Sequence, residues 1–250
     1  MEFFEIADRR YARFPRLSRL PGVSHAFSTR PHDVSARRDD LAPIRAARRA
    51  TMAGDLGFVS ARLAHCVQVH QPGVAVIHEG STGAFEATDG LCTNVRGTPL
   101  MVFSADCPLV VVVDPQSAAL GVAHSSWRCT VAGIVPVLVE RLRAEFGADP
   151  RRMHAGIGPS AGPQQYEVGS DVYDAAKTLP QRERHFVRQD GRMYFDLWSA
   201  NRAQLLESSV PEENIEIAGI CTMTATDVFY SFRREGAGCG HFGLMAGLSG

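Results

Sequence analysis

The sequence predicts a mixed α/β fold in one domain covering residues 1–250. Short β-rich runs alternate irregularly with amphipathic helical stretches, which favours a mixed sheet over a doubly wound parallel one. Of the 250 residues, 45% are hydrophobic and 21% are charged, a composition typical of a globular protein with a sizeable core. No repeat, low-complexity stretch or Pro/Gly/Ser linker divides the chain.

Three helices are predicted, the first two from apolar residues that recur at helical intervals. They span residues 37–56, 131–146 and 197–207. Gly57 and Gly147 follow the first two helices as stop signals, and Asp196 is placed as the N-cap of the third. Pro136 falls in the first two turns of the second helix, where a kink is expected.

The predicted strands are short runs rich in β-branched residues, with glycine or proline at their boundaries. They span residues 65–69, 73–78, 100–104, 109–114, 120–124, 153–157, 215–219 and 241–245. The turn sequence Asp114-Pro-Gln-Ser117 lies between two of them. It predicts a hairpin, or adjacent strands, within a buried sheet.

Charge and composition exclude several classes of function. A net charge of −1 gives no global attraction to nucleic acid or to a membrane surface. The longest aliphatic run, residues 109–113, is far shorter than the ~20 residues of a membrane span. The N-terminus lacks the pattern of a signal peptide, and no cysteine pair has C-x-x-C spacing. We therefore expect a cytoplasmic protein with reduced thiols that binds neither nucleic acid nor membrane; the sequence leaves any partner protein unknown.

Arginine is the basic residue type that this chain has available for binding anions. Lys177 is the only lysine among 26 basic residues. A guanidinium group matches an oxyanion with two parallel hydrogen bonds. Arg30, Arg128 and Arg233 are candidates for binding phosphate, although surface ion pairs are the ordinary role of any one arginine.

Three polar residues end apolar strands next to turn-forming residues. They are His70, Cys107 and His124. Two histidines and one cysteine can bind zinc in three positions and leave a fourth for water or substrate. A zinc-bound water has a pKa of about 7, which provides hydroxide at neutral pH. The separations of 37 and 17 residues mean that the fold must build this site, and the alternative is three buried, hydrogen-bonded residues.

Six segments then occur in the order of a known family. They are Gln68-Val-His70, Phe103-Ser-Ala-Asp-Cys107-Pro, Val122-Ala-His124-Ser-Ser-Trp-Arg128, Ile157-Gly-Pro159 with Tyr166-Glu-Val-Gly169, Asp196-Leu-Trp-Ser-Ala-Asn201 and Phe229-Tyr-Ser-Phe-Arg233. From about residue 24 to residue 248, the chain resembles the YfiH-like, or laccase-domain, proteins. Members are labelled multicopper polyphenol oxidases, zinc-dependent purine nucleoside phosphorylases with adenosine deaminase side activity, or peptidoglycan-precursor editing factors.

The resemblance implies a layered α/β/β/α fold of the YfiH-like, cysteine-hydrolase type. It also implies a metal site formed by His70, Cys107 and His124, which would then serve in catalysis. Gln68 and Asp106 are implied to lie near this site. Asp106 would act as an acid or base or orient a ligand, and the alternative is a turn cap.

The resemblance also implies a substrate pocket next to the metal. Arg128 is implied to lie near the site, and residues 27–30, including Arg30, to form part of the pocket. Trp127 can stack on a purine, or it can pack in the core at a strand-to-helix junction. Gln68, Arg30, Trp127 and Arg128 are thus the predicted substrate-binding residues.

The chain departs from the family pattern at the pocket rim. The family usually has glycine where this chain has His32, Asp33, Ser126 and Cys129. Loss of glycine removes backbone freedom and close approach to a ligand. Because the three metal-ligand positions are intact, these departures bear on the substrate more than on the metal.

The number and spacing of the histidines favour zinc over copper as the metal. True laccases, which are multicopper oxidases, need about ten histidines, many of them in His-x-His pairs. This chain has nine histidines and no such pair. In a mononuclear blue-copper site, the cysteine and the second histidine usually lie close in sequence. Here they are 17 residues apart.

The preferred hypothesis is zinc-dependent phosphorolysis of purine nucleosides such as adenosine and inosine, with adenosine deamination as a side activity. One alternative is a Cys-His amide hydrolase acting on peptidoglycan precursors, with Cys107 as nucleophile and His124 or His70 as base. The others are a polyphenol oxidase and a non-catalytic ligand-binding protein. Because the same three residues serve both enzymatic proposals, the sequence does not separate them.

Overall fold

The structure is a computed structural model that describes residues 1–37 and 39–250. Its strands are β1 (Glu2–Ile6), β2 (Arg9–Arg13), β3 (Val23–Ser28), β4 (Ala64–Val67), β5 (Val74–Val76), β6 (Gly83–Glu86), β7 (Gly90–Thr93), β8 (Leu100–Ser104), β9 (Leu109–Asp114), β10 (Ala119–His124), β11 (His154–Ile157), β12 (Glu167–Val168), β13 (Phe186–Gln189), β14 (Arg192–Phe195), β15 (Ile215–Ile217) and β16 (Phe242–Leu248). Its α-helices are α1 (Ala42–Asp55), α2 (Trp127–Val131), α3 (Ile134–Phe146), α4 (Ser170–Ala175), α5 (Leu197–Glu207) and α6 (Phe232–Glu235).

Two large mixed sheets contain most of the strands. The first sheet has seven strands in the order β1-β2-β3-β16-β8-β4-β6, and the second has six in the order β15-β11-β9-β10-β7-β5. In the first sheet β4 runs parallel to both of its neighbours, and in the second the two edge pairs are parallel. A smaller sheet has the order β12-β14-β13. The mixed α/β prediction is confirmed.

Alternation along the central strands explains why the two large sheets stack face to face. Every residue of β9 is buried. Val111 and Val113 join a core that also contains Phe27 and Leu244 of the first sheet. Val110 and Val112, which alternate with them, join a second core on the opposite face of the same strand. Each sheet therefore contributes one face to a core between the sheets and one to a core outside them.

Helices cover both outer faces. α3 packs on the second sheet through Ile134, Leu138 and Leu142, and α5 joins the same core. On the far side, Met52 and Ala53 of α1 pack on the outer face of the first sheet. The layers therefore run α/β/β/α, the order that the family resemblance implies.

Two predicted helices have different boundaries in the structure. The first begins at Ala42 with Pro43 in its first turn, where a missing backbone N–H costs no hydrogen bond; Arg38 lies outside the described residues. The prediction over 131–146 covers parts of two helices, α2 and α3, because Gly133 adopts a left-handed φ of 78° between them. Pro136 then falls in the first turn of α3, so the expected kink is unnecessary. The third helix and its Asp196 N-cap are confirmed.

The hairpin at residues 114–117 is confirmed, since β9 and β10 are antiparallel with His124 opposite Leu109. Strands β1–β3, β6, β7 and β12–β14 were not predicted. Glutamates in β1 and arginines in β2 interrupt the apolar alternation. Arg10 lies 4.3 Å from the centroid of the Phe3 ring, so these basic residues shield an aromatic surface. Within the described residues, no helix is long and apolar enough to span a membrane.

Candidate functional site

The three predicted metal ligands converge because of where the chain passes between the sheets. His70 follows β4 of the first sheet and precedes β5 of the second, and Cys107 lies between β8 of the first sheet and β9 of the second. His124 ends β10. Because β9 and β10 are antiparallel, the start of β9 and the end of β10 lie side by side at the same end of the sheet.

Their donor atoms form a compact cluster. One ligand atom each from His70, Cys107 and His124 lies within 4.8 Å of the other two. The two imidazole rings are nearly perpendicular, with centroids 5.0 Å apart. His124 is buried, Cys107 is partly exposed and His70 is exposed. The cluster is therefore open on one side, as expected for three protein ligands and one exchangeable position.

A buried carboxylate lies behind the cluster. Asp89 Oδ2 is 2.7 Å from His124 Nδ1, and Asp89 Oδ1 accepts hydrogen bonds from the backbone N–H groups of Val69 and Gln71. Burial acts to raise the pKa of Asp89, but the hydrogen bond from His124 and those from the backbone outweigh it and lower the pKa. Sequence reasoning missed Asp89, because an aspartate before glycine is also typical of a turn.

A second donor group shares His124. Asp89, His124 and Cys129 also have ligand atoms within 4.8 Å of one another, and all three are buried. Both Asp89 oxygens already accept hydrogen bonds, and the Cys129 thiol lies 3.6 Å from the carbonyl oxygen of Gln71. Burial raises the pKa of Cys129 to about 12. This group is thus closed, and it supports the open cluster from behind.

Cys107 carries a neutral thiol while no cation is bound. Burial raises its pKa well above the ordinary value, and the neighbouring Asp106 carboxylate raises it further. A thiolate at this position therefore needs a cation close to the sulfur. Two imidazoles and one such thiolate make a donor set that suits zinc.

A cavity of about 710 Å³ opens in front of the donor cluster. This volume lies within the range of small-molecule and cofactor sites. Its walls include the arginines Arg37, Arg128 and Arg233 and the aromatic residues Trp127 and Tyr166. The cavity thus combines a metal-ligand set with positive charge and aromatic surface.

Gln68 and Asp106 line the cavity, but their polar atoms already have protein partners. The Gln68 amide exchanges two hydrogen bonds with the backbone of Phe103, which continues the pairing of β4 with β8. Asp106 accepts hydrogen bonds from the Thr222 hydroxyl at 2.6 Å and from the backbone N–H of Arg233 at 2.7 Å. The geometry favours a turn-holding role for Asp106 over acid–base chemistry.

Trp127 and Arg128 line the cavity from α2. The helix begins at Ser126, whose side chain accepts a hydrogen bond from the N–H of Cys129. The Arg128 guanidinium lies 4.3 Å from the Trp127 ring centroid. It makes no hydrogen bond or ion pair to any other residue that the structure describes. Arg128 is therefore a positioned cation that is free to meet an anion.

Arg30 and the rest of residues 27–30 do not line this cavity, contrary to the expectation. Phe27 is buried in the core between the sheets. Arg30 forms an ion pair with Glu235, donates to the carbonyl of Phe229 and lies 4.2 Å from the Tyr230 ring centroid. Because its guanidinium is already used, the structure provides no support for substrate binding by Arg30. Residues 35–37 line the cavity instead, and sequence reasoning missed Arg37.

His241 also lines the cavity and was not selected from the sequence. Its backbone N–H donates to Asp33, while its buried Nδ1 has no hydrogen-bond partner among the described residues. Burial lowers its pKa to about 4, so its ring is neutral near pH 7. Because the unpartnered Nδ1 is itself buried, the ring contributes an uncharged polar residue to the cavity wall.

The layered fold with a His-Cys-His cluster at its sheet crossings defines a laccase-domain type of protein. Residues 16–249 match the family model described as multi-copper polyphenol oxidoreductase laccase. The chain belongs to this family, the YfiH-like laccase-domain proteins, in agreement with the segments found in its sequence.

Relatives of this chain are named as enzymes that act on purine nucleosides. A purine nucleoside phosphorylase from Deinococcus radiodurans is 36% identical over 236 residues, which cover 90% of this chain and 89% of that protein. Adenosine deaminase RL5, from an unknown prokaryotic organism, is 34% identical over 208 residues and 77% of both chains. The crystal structure of YlmD from Geobacillus stearothermophilus has a TM-score of 0.91, at 26% identity over 99% of both chains.

Proposed function

We propose that the protein is a zinc-dependent purine nucleoside phosphorylase that cleaves adenosine or inosine, with adenosine deamination as a side activity. The observation that carries this proposal is the placement of the open His-Cys-His cluster and the unpaired Arg128 in one cavity. The names of the relatives support the substrate class. The six free cysteines are in keeping with a cytoplasmic location.

His70, Cys107 and His124 would hold the metal. When bound, zinc supplies Lewis-acid polarisation of a phosphate oxygen or of a water. The chain contributes the direction of the ligands, because His124 is hydrogen-bonded by a buried carboxylate and Cys107 is fixed at a sheet crossing. The exposed edge of His70 leaves the cluster accessible from the cavity.

Phosphorolysis forms a bond from a phosphate oxygen to the ribose C1′ and breaks the bond from C1′ to the base nitrogen. The electron pair of the broken bond goes to the base, which takes up a proton. Arg128 would bind the phosphate, since its guanidinium is held over Trp127 without another anion. Arg37 and Arg233 add positive charge to the same cavity, which lowers the repulsion between phosphate and the site.

The purine would occupy the aromatic part of the cavity. Trp127 and Tyr166 both line it, and Arg233 lies 4.7 Å from the Tyr166 ring centroid. Neutral His241 would hydrogen-bond a polar edge of the bound nucleoside. These groups bind and orient the substrate, which places the ribose carbon between phosphate and base.

The amide-hydrolase alternative requires a metal-free thiolate at Cys107. Burial and the adjacent Asp106 act against that thiolate by raising the pKa of Cys107. A polyphenol oxidase of the multicopper type needs several metal sites. The two donor groups in the described part of the chain share His124, so they support a single site. The metal-dependent phosphorylase thus remains the better supported function.

The test is a nucleoside panel assayed with and without phosphate on metal-quantified protein. We expect adenosine and inosine to give free base and ribose 1-phosphate only when phosphate is present. Zinc-loaded protein without any phosphate-dependent turnover contradicts the proposal. Alkylation of Cys107 in protein that keeps its metal points instead to the hydrolase.

A further inference from the structure

One buried carboxylate contacts one predicted ligand and both chain neighbours of another. Asp89 is fully buried and immediately precedes β7. Its Oδ2 lies 2.7 Å from His124 Nδ1, and its own carbonyl oxygen accepts a 2.7 Å hydrogen bond from the His124 backbone N–H. Its Oδ1 accepts from Val69 at 2.8 Å and from Gln71 at 3.2 Å, the residues on either side of His70.

We propose that Asp89 is a positioning residue that presets the donor cluster, fixing the tautomer of His124 and the backbone of His70 with a single side chain. The inference rests on the metal-holding part of the proposed function and is independent of the reaction catalysed. Sequence reasoning considered Asp106, and not Asp89, for orienting a ligand.

The tautomer follows from the hydrogen-bonding capacity of the carboxylate. Oδ1 already accepts from two backbone N–H groups, and Oδ2 faces a ring nitrogen. An ionised carboxylate only accepts, so His124 Nδ1 carries the proton. The lone pair is then on Nε2, the nitrogen left for the donor cluster. A carboxylate bonded in this way also makes the imidazole a more basic ligand.

The backbone of His70 needs support for a different reason. Its φ of 60° lies in the left-handed region, which a residue with a side chain rarely adopts. The two hydrogen bonds to Asp89 Oδ1 flank this residue and hold the turn around it. Cys129 adds a contact to the same turn through the carbonyl of Gln71. The ring of His70 is thereby directed from a fixed backbone, although it is itself exposed.

The two roles can be separated by substitution. In Asp89→Asn the amide oxygen is expected to stay at the Oδ1 position, because the NH2 group cannot accept from two backbone N–H groups. The NH2 group then faces His124 Nδ1 and donates to it. His124 must move its proton to Nε2, which blocks the coordinating nitrogen while the turn around His70 is kept. Asp89→Ala removes both effects.

The experiment compares wild type, Asp89→Asn and Asp89→Ala with Asp114→Asn as the matched control. Asp114 is also fully buried, and it accepts hydrogen bonds from two backbone amides and from Arg152 at the other end of β9. Nitrogen-15 NMR of the histidines reports the tautomer before and after zinc addition. Chelator competition measures the zinc affinity, and thermal unfolding of the zinc-free protein measures stability.

We expect the Nδ1–H tautomer for wild-type His124 and the Nε2–H tautomer for Asp89→Asn, with zinc affinity lowered about 10–100-fold. Asp89→Ala is expected to lose at least as much affinity, and Asp114→Asn to keep it. An Nε2–H tautomer in the wild type overturns the proposal without needing any variant. So does zinc affinity in Asp89→Asn within about twofold of the control. Wild-type protein with the expected tautomer but without phosphorolysis contradicts the proposed function and leaves this inference standing.

Discussion

The floor and the rim of the cavity are built in different ways. The floor consists of His70, Cys107 and His124, which the ends of buried strands deliver to one point. The rim consists of Trp127, Arg128 and Phe232, which lie on two helices of five and four residues. Arg128 has no ion pair with any residue that the structure describes, and Phe232 is 50% exposed. The fold therefore fixes the predicted metal ligands, whereas the rim is made of individual side chains on short helices.

Two of the positions where the resemblance implies glycine, Asp33 and Ser126, hold backbone next to the cavity, whereas Cys129 lies behind the donor cluster. Ser126 caps α2 by accepting from the N–H of Cys129. Asp33 accepts from the backbone of Ser35 and His241 and forms an ion pair with Arg45. At positions where the family usually has glycine, this chain uses polar side chains to fix the backbone.

The largest effect is expected from a substitution in the floor of the cavity. Cys107→Ser removes the thiolate ligand, so we expect zinc affinity and phosphorolysis to fall together by at least about 100-fold. Metal quantification and the adenosine assay measure both. Cys92→Ser is the matched control, since Cys92 is buried in β7 outside both donor groups. Activity that survives complete loss of zinc would remove the metal from the mechanism.

A rim substitution should act on the substrate and leave the metal alone. Arg128→Gln removes a charge-assisted hydrogen bond worth about 1.5 kcal/mol, so the KM for phosphate should rise about tenfold. Zinc content should match that of the wild type. Steady-state kinetics at varied phosphate concentration give the result, and an unchanged KM would place the phosphate elsewhere in the cavity.

A smaller effect is expected at the aromatic part of the rim. Trp127→Leu removes about 1 kcal/mol of stacking, which corresponds to an approximately fivefold higher KM for adenosine. Trp127→Phe keeps an aromatic face and should recover most of this loss. If both variants behave like the wild type, Trp127 packs against its neighbours and does not contact the purine.

The smallest effect is expected for Arg30, which was predicted to bind substrate but does not line the cavity. Arg30→Gln breaks a partly exposed ion pair with Glu235, which costs at most about 1 kcal/mol of unfolding free energy. The KM for phosphate should stay at its wild-type value. A rise comparable to that of Arg128→Gln would restore Arg30 to the substrate site.

The sequence predicted the floor better than the rim for a physical reason. A histidine or cysteine at the end of an apolar strand has its position defined by local periodicity, and His70, Cys107 and His124 were selected on that basis. Arg30 and Arg37 differ only in the path of the surrounding loop, which periodicity does not describe. Asp89 contacts His124 across 35 residues, and no local pattern distinguishes it from a turn aspartate.

The same limit applies to the fold. β9 and β10 were predicted because β-branched residues fill buried strands on both faces. β1 and β2 were missed because glutamates in β1 and arginines in β2 occupy exposed and half-exposed positions of an edge hairpin. Gly133 divides a continuous apolar pattern into α2 and α3 through its left-handed backbone, which the pattern of apolar residues cannot reveal.

The two crossings between the large sheets have a consequence for the survival of the protein. His70 and Cys107 each lie on a segment that leaves one sheet for the other, and His124 belongs to the second sheet. A cation bound by all three would link the two large sheets beside the core that lies between them. A free cation concentration of 100 times Kd would raise the free energy of unfolding by about 2.7 kcal/mol. The amount of protein that escapes proteolysis would then follow the metal supply of the cell.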